Sequence, residues 1–239
     1  MGTWLSGEGM TVEYTLFPLC EYAVTIRFSD RIDEDVNDIV HHTAARLQAE
    51  RKEGIEEIAP AFSSLTVYYD PLVAGSYADV CAWLHENIGR SEQAVRSSAR
   101  TIVIPVCYGG EFGPDLPDVA RFHGISEDEV VKLHSAGRYR VYMIGFSPGF
   151  AYLGGLSPRL ATPRRAVPRT KVPAGSVGIA GGQTGVYPLA TPGGWQLIGR
   201  TPLRLFDPRR EEPSLLAAGD IVEFRPIGAR EFARLERGT

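Results

Sequence analysis

Residues 138–208 interleave strand-sized apolar runs with dense proline and glycine, and this stretch limits the fold more than any other part of the chain. More than half of the 17 prolines fall inside it. Glycine permits positive φ and close backbone approach, whereas proline fixes φ and removes a donor. Used together between strands, they describe sharp turns held in set shapes, as in a closed barrel or sandwich of short strands. A binding surface makes the same demand on its loops. The spacing predicts strands over 101–106, 139–146, 176–180, 195–198, 203–206 and 221–224, with a tight turn at Ala218-Gly219-Asp220. Short helices are expected over 116–122 and 126–134, the second opened by a capping box of Ser126 and Glu129.

The first hundred residues follow a different pattern. A strand is expected over 23–28. Val36, Ile39, Val40, Ala44 and Leu47 then recur at helical spacing, with acids Asp33 to Asp35 at one end and Arg51 and Lys52 at the other. Strands over 55–59 and 65–69 follow, then a helix capped by Ser76 whose apolar stripe is Tyr77, Val80, Cys81, Leu84 and Ile88, stopped by Gly89. Strand–helix–strand–strand–helix is the order of a split βαβ, ferredoxin-like α+β domain with its helices on one face. Residues 1–10 read as a loose leader without the basic start and apolar stretch of a signal peptide, and Met10 is an alternative start. Residues 91–100 read as a linker. The expected organisation is an α+β domain over 12–90, a mainly-β domain over 100–228 and a helical tail over 229–239.

A net charge of -4 and a pI near 5.8 offer no basic face for nucleic acid, and no apolar run is long enough to span a membrane. Cys20, Cys81 and Cys107 make neither a disulfide framework nor a zinc pattern, and His41, His42, His85 and His123 lack metal spacing. A reducing cytoplasm is expected, with no structural metal.

Against this acidic background Arg164, Arg165, Arg169 and Lys171 gather on one proline-stiffened loop. Guanidinium groups bind carboxylate and phosphate bidentately, so the loop suits an anionic ligand, a docking partner or plain solvent. Gly181-Gly182-Gln183-Thr184-Gly185, with Tyr187 behind it, offers amides, a carboxamide and a hydroxyl for an anion or a polarised carbonyl. It lacks the Gly-x-x-x-x-Gly-Lys-Ser/Thr spacing of a P-loop. His134 ends a helix, where a histidine commonly meets the dipole, and proton transfer is the other role open to it. Asp115 reads as a helix cap and Glu111 as the better candidate for an active carboxylate. Gly145-x-Ser147-x-Gly149 matches a nucleophile elbow, but Pro148 has no N–H to lend an oxyanion hole, so Ser147 reads as a loop residue.

Gly145-Phe146-Ser147-Pro148-Gly149-Phe150-Ala151-Tyr152-Leu153-Gly154-Gly155-Leu156 closely resembles a signature of the family that contains the B component of 5-oxoprolinase. That family also holds the Kip inhibitor of a sporulation histidine kinase and was long labelled allophanate hydrolase subunit 1. Pro163-Arg164-Arg165, Pro168-Arg169, the run from Val172 to Pro188, Thr191 to Trp195 and Ile198 to Pro202 match its further blocks in order. Cys20-Glu21 departs from the family's usual Gly-Asp, at a turn. The resemblance runs from about Tyr14 to Pro226 and implies a cyclophilin-like β-barrel after the small α+β domain. It also implies one part of an ATP-dependent 5-oxoprolinase, inert alone. Such a chain works with a larger homologous protein, the C component, and with a third, the A component, to open 5-oxoproline, a small lactam, to glutamate. ATP and Mg would act in the assembled complex, with no tightly bound cofactor in this chain. On that reading Arg164, Arg165, Arg169, Lys171, Gly181 and Gly182 bind substrate or phosphate, and His134, Gln183, Thr184 and Tyr187 serve the chemistry. The alternatives are a Kip-type inhibitor of a histidine autokinase and a component of an allophanate or urea amidolyase system. The Phe-His-Arg block of the cyclophilin isomerases is missing from the chain.

Overall fold

The computed structural model describes residues 2–5, 11–31, 33–88 and 100–238. Met10, the Gly89 stop and the linker positions 91–99 lie outside the described residues. The chain divides into two compact units, Met1–Ser98 and Ala99–Thr239.

The first unit is an antiparallel sheet carrying helices. Its strands are β1 (Gly2–Leu5), β2 (Thr11–Cys20), β3 (Ala23–Arg27), β4 (Ile55–Pro60) and β5 (Ser64–Tyr69), in the order β1-β2-β3-β5-β4. Helix α1 (Glu34–Ala49) joins β3 to β4; the short α2 (Pro71–Ala74) and α3 (Tyr77–Ile88) follow β5. Asp33 caps α1 by accepting from the amides of Asp35 and Val36. Its buried face is Asn37, Val40, Thr43 and Leu47, more polar than the apolar periodicity predicts. Asn37 fits there because its side-chain NH2 donates to the carbonyls of Ala61 and Phe62, which satisfies its buried donors. Ser76 and Asp79 cap α3 reciprocally, the amide of each donating to the other's side chain. The sequence does not announce β1 or β2. Pro18 sits inside β2, and proline argues against a strand unless a bulge accommodates it; the register shifts between Pro18 and Cys20.

The second unit is a closed barrel of seven strands: β6 (Thr101–Tyr108), β7 (Arg138–Ile144), β8 (Ala151–Gly154), β10 (Ser176–Ala180), β11 (Gln183–Val186), β13 (Gln196–Arg200) and β14 (Ile221–Pro226). Neighbours run β10-β11-β8-β7-β14-β6-β13, and β13 closes on β10. Only the β14–β6 pair is parallel. Helices α4 (Leu116–His123) and α5 (Glu127–Ser135) lie between β6 and β7, and Ser126 caps α5 through the Glu129 amide as expected. Val141, Leu153, Val177, Ile179, Val186 and Val222 fill the interior, each without exposed surface. A two-stranded ribbon, β9 (Arg169–Val172) with β12 (Thr191–Gly193), stands outside the barrel. The strand expected over 203–206 does not form; Phe206 makes a single bridge to Ser214. The last helix, α6 (Ala229–Glu236), belongs to this unit, its Phe232 ring 4.6 Å from that of Phe112. Among the described residues no helix is long and apolar enough to cross a membrane.

The turn after β6 is fastened to β13 at close range. A Cβ on Gly113 would lie 2.0 Å from the Ile198 carbonyl oxygen, a backbone atom that cannot step aside. Gly113→Ala is expected to cost about 1–3 kcal/mol by overpacking, read as a lower denaturant midpoint with an unchanged slope.

Candidate functional site

The arginine loop is built around one buried carboxylate. Asp115 is 2% exposed and occupies the N-cap position of α4, yet its side chain caps nothing. Its Oδ1 instead accepts from Arg165 Nη1 at 2.9 Å and Arg169 Nη2 at 2.7 Å, and its Oδ2 accepts from the Leu197 amide at 2.7 Å. The capping role expected for Asp115 is therefore corrected: the three donors come from the loop, the ribbon and β13, and none from its own helix. The Arg165 amide also donates to the Gly194 carbonyl, and Gln196 Nε2 to the Pro163 carbonyl, so the loop is pinned along its length. Arg164 is exposed and has no ion pair among the described residues. A cleft of about 440 Å³ opens here, walled by Arg164, Arg165, Gln196 and Asp118 with the exposed apolar groups Phe122 and Val167. Lys171 is exposed on β9, outside that wall.

An aromatic cluster on the outer face of the barrel backs the loop. Phe150, Tyr187 and Trp195 meet edge to face, with ring centroids 5.3 Å apart for Phe150–Tyr187 and 5.5 Å for Phe150–Trp195. Such pairs add about 0.5–1.5 kcal/mol each beyond the area they bury. Burial pushes the Tyr187 phenol up, opposed by a hydrogen bond from the Trp195 amide and by the charges of Arg164 and Arg169. Tyr187 thus shares the neighbourhood of the arginines while remaining 1% exposed.

Phe146 stands at the edge of this cluster, 62% exposed, its ring edge-on to Phe150 and Tyr187. Among the described residues it is the one non-glycine with positive φ, at 70°. Backbone strain of this kind costs about 1–3 kcal/mol and collects at functional sites. Nothing in the sequence signals it beyond Gly145 before it and Gly149 three residues after it. Phe146→Gly trades two ring contacts against relief of that strain. Its thermal midpoint is expected to stay within about 4 °C of the parent by calorimetry, since the two terms nearly cancel.

The other predicted residues lie elsewhere. His134 has no exposed surface and sits in the barrel interior, stacked on Phe224 with centroids 4.6 Å apart. Thr184 spends its hydroxyl proton on the Gly178 carbonyl at 3.0 Å, so His134 Nε2–H must donate to Thr184 Oγ1 at 2.9 Å. His134 Nδ1 then accepts from the Tyr108 hydroxyl at 2.8 Å. Burial pulls the His134 pKa down to about 3, which keeps the ring neutral. Neutral, sealed and fully bonded, this histidine and Thr184 brace α5, β6 and β11 against one another. Gln183 faces outward from β11; its Nε2 is shielded from solvent and has no partner among the described residues, but it does not line the arginine cleft. Gly181 and Gly182 form the exposed β10–β11 turn, and the Gly181 amide is already committed to the Thr162 carbonyl. Glu111 is exposed. Structure thus gathers Arg164, Arg165, Arg169 and Tyr187, and leaves Gln183, Thr184 and His134 apart.

A model of the carboxyltransferase domain, subdomain C and D, matches residues 14–216, most of each unit. The chain belongs to that family. The carboxyltransferase-domain relatives include the B component of 5-oxoprolinase from Bacillus subtilis (strain 168), 48% identical over 232 residues covering 93% of this chain and 97% of that protein. The corresponding component from Escherichia coli O157:H7 is 52% identical over 175 residues, covering 72% and 78%. Among solved structures, TTHA0988 is 37% identical with a TM-score of 0.77 over 88% of this chain, which spans 41% of that longer one. The family match contains all the quoted signature blocks, from Gly145 to Pro202.

Proposed function

We propose that this chain is the B component of an ATP-dependent 5-oxoprolinase, a cytoplasmic protein inert until it meets a larger homologous C component and an A component. The reaction is taken from its relatives, about half identical over most of the chain. For the site, the observation that carries the reading is the cleft walled by Arg164 and Arg165 beside the Asp115 anchor. We also read the seven-stranded barrel as cyclophilin-like and the first unit as a ferredoxin-like split βαβ.

A lactam carbonyl is a poor electrophile. Phosphorylation of its oxygen by ATP makes the ring carbon electrophilic enough for water to add. The C–N bond then breaks to leave an acyl phosphate, which a second water hydrolyses to glutamate and phosphate, and the protein's part is positioning and charge stabilisation. Arg164 and Arg165 would hold the carboxylate of 5-oxoproline or the transferring phosphate, with Arg169 and Lys171 adding positive field. Tyr187 would wall the site from behind, and Gln183, whose amide nitrogen has no partner among the described residues, would orient a carbonyl brought by the partner. His134 and Thr184 are given a bracing role in place of proton transfer. Mg would accompany the nucleotide's phosphates in the assembled complex.

The decisive experiment reconstitutes the chain with its two partner proteins and measures 5-oxoproline-dependent ATP hydrolysis. Activity is expected only in the complete set. Absence of turnover there, or turnover of urea derivatives instead, would overturn the assignment. A second reading, a Kip-type kinase inhibitor, draws support from the exposed apolar side chains Phe122, Phe146 and Val167 on the barrel unit. It predicts tight binding to a histidine kinase that survives loss of the arginines.

A further inference from the structure

We propose that Asp115 is the positioning residue of the arginine loop, one carboxylate oxygen gathering Arg165 and Arg169 while the other fixes the pair to β13. The Asp115 amide donates to the Leu197 carbonyl at 2.9 Å and its Oδ2 accepts from the Leu197 amide, so the residue is locked to a barrel strand through both backbone and side chain. Both guanidinium groups then reach the same Oδ1. Two cations meeting at one oxygen repel each other, and only the anion between them makes the arrangement stable. A guanidinium carries five N–H donors in a fixed fork, and Asp115 takes one from each.

The donors left over give this anchor a purpose beyond packing. Arg165 Nε and Arg169 Nη1 are shielded from solvent and have no partner among the described residues. The trio of Arg165, Arg169 and Asp115 keeps one net positive charge, and Arg164 beside it adds another. A carboxylate or phosphate oxygen arriving at the loop would therefore meet preset donors rather than mobile side chains, which lowers the ordering cost of binding. The inference rests on the reading that the loop receives an anion, but the positioning itself does not depend on which reaction the complex runs.

The test joins two measurements. In the isolated chain, arginine Nη–H signals at low temperature, assigned with Arg165→Lys and Arg169→Lys, are read by ¹⁵N NMR. The wild type should show both resolved from the exposed arginines and slow to exchange with water, and inorganic phosphate should shift the Arg165 signal. Asp115→Asn should return both to the exposed envelope and abolish the phosphate shift. Asp115→Glu, which keeps the charge, should restore part of each. In the assembled complex, Asp115→Asn should raise KM for 5-oxoproline at least tenfold while kcat changes less than threefold. Wild-type signals already in the exposed envelope would overturn the proposal even if Asp115→Asn failed to fold. So would a variant with unaltered signals, or one that lost kcat at constant KM. An inactive wild-type complex with the NMR result intact would instead refute the assigned reaction alone.

Discussion

Arg164→Met in the assembled complex is expected to raise KM for 5-oxoproline, or for ATP if phosphate is the ligand, by about ten- to a hundredfold. The figure follows from losing hydrogen bonds to a charged group, about 1.5–3 kcal/mol, at 1.4 kcal/mol for each factor of ten. Arg164 is the informative choice because it is exposed and has no ion pair among the described residues, so its removal leaves no buried partner behind. Arg165 and Arg169 are different. Deleting either uncovers part of a buried carboxylate, and breaking such a pair costs about 3–5 kcal/mol in its own right. Arg164→Met should therefore leave the thermal midpoint in place while Arg169→Met lowers it, a contrast that calorimetry reads before any assay. An Arg164→Met complex with parental KM for both substrates would remove the cleft from the mechanism.

Acid should weaken the barrel unit through His134. Its pKa falls from the ordinary 6.5 to about 3 in the folded protein because burial disfavours the charged ring. Below pH 6.5 the unfolded chain takes up a proton that the folded one refuses, so stability falls as pH drops, by roughly 1.4 kcal/mol per unit, and the loss is complete near pH 3. Above pH 6.5 the group contributes no pH dependence. Gln can accept from Tyr108 and donate to Thr184 without titrating, so His134→Gln isolates the effect. The parent should be the more stable at pH 7.5, and its advantage over the variant should shrink by about 3 kcal/mol on going to pH 4, measured by urea unfolding at each pH. A difference between the two that stays constant with pH would mean that the ring is not held neutral inside the barrel.

The contrast between Asp115 and Ser126 explains how much of this protein could be read in advance. Both precede helices and both looked like caps. Ser126 is one, because its acceptor serves an amide three residues on, and local geometry suffices. Asp115 is not, because its partners lie 50, 54 and 82 residues away and bind it more strongly than its own helix could. His134 repeats the lesson: a helix-terminal histidine by sequence, a sealed core residue by packing. Strand β10 and helices α1, α3 and α5 were legible from period and caps. Strands β8, β9, β11 and β12, of three or four residues each, were not, for they are too short to establish a period. Gly185 on β11 has no side chain to alternate because Trp195 crosses over it, 3.0 Å from where a Cβ would stand.

Sequence alone determined an α+β half and a β-rich half, and the proline-stiffened cationic loop between strands. It could do so because period, capping and turn chemistry act over a few residues, within reach of neighbours in the chain. Only the closed barrel decided which arginines share a carboxylate, which histidine is shut away and which aromatic ring stays in water. Those outcomes depend on contacts between residues far apart in the chain, and burial, not residue type, sets the charge state and the partners of each group.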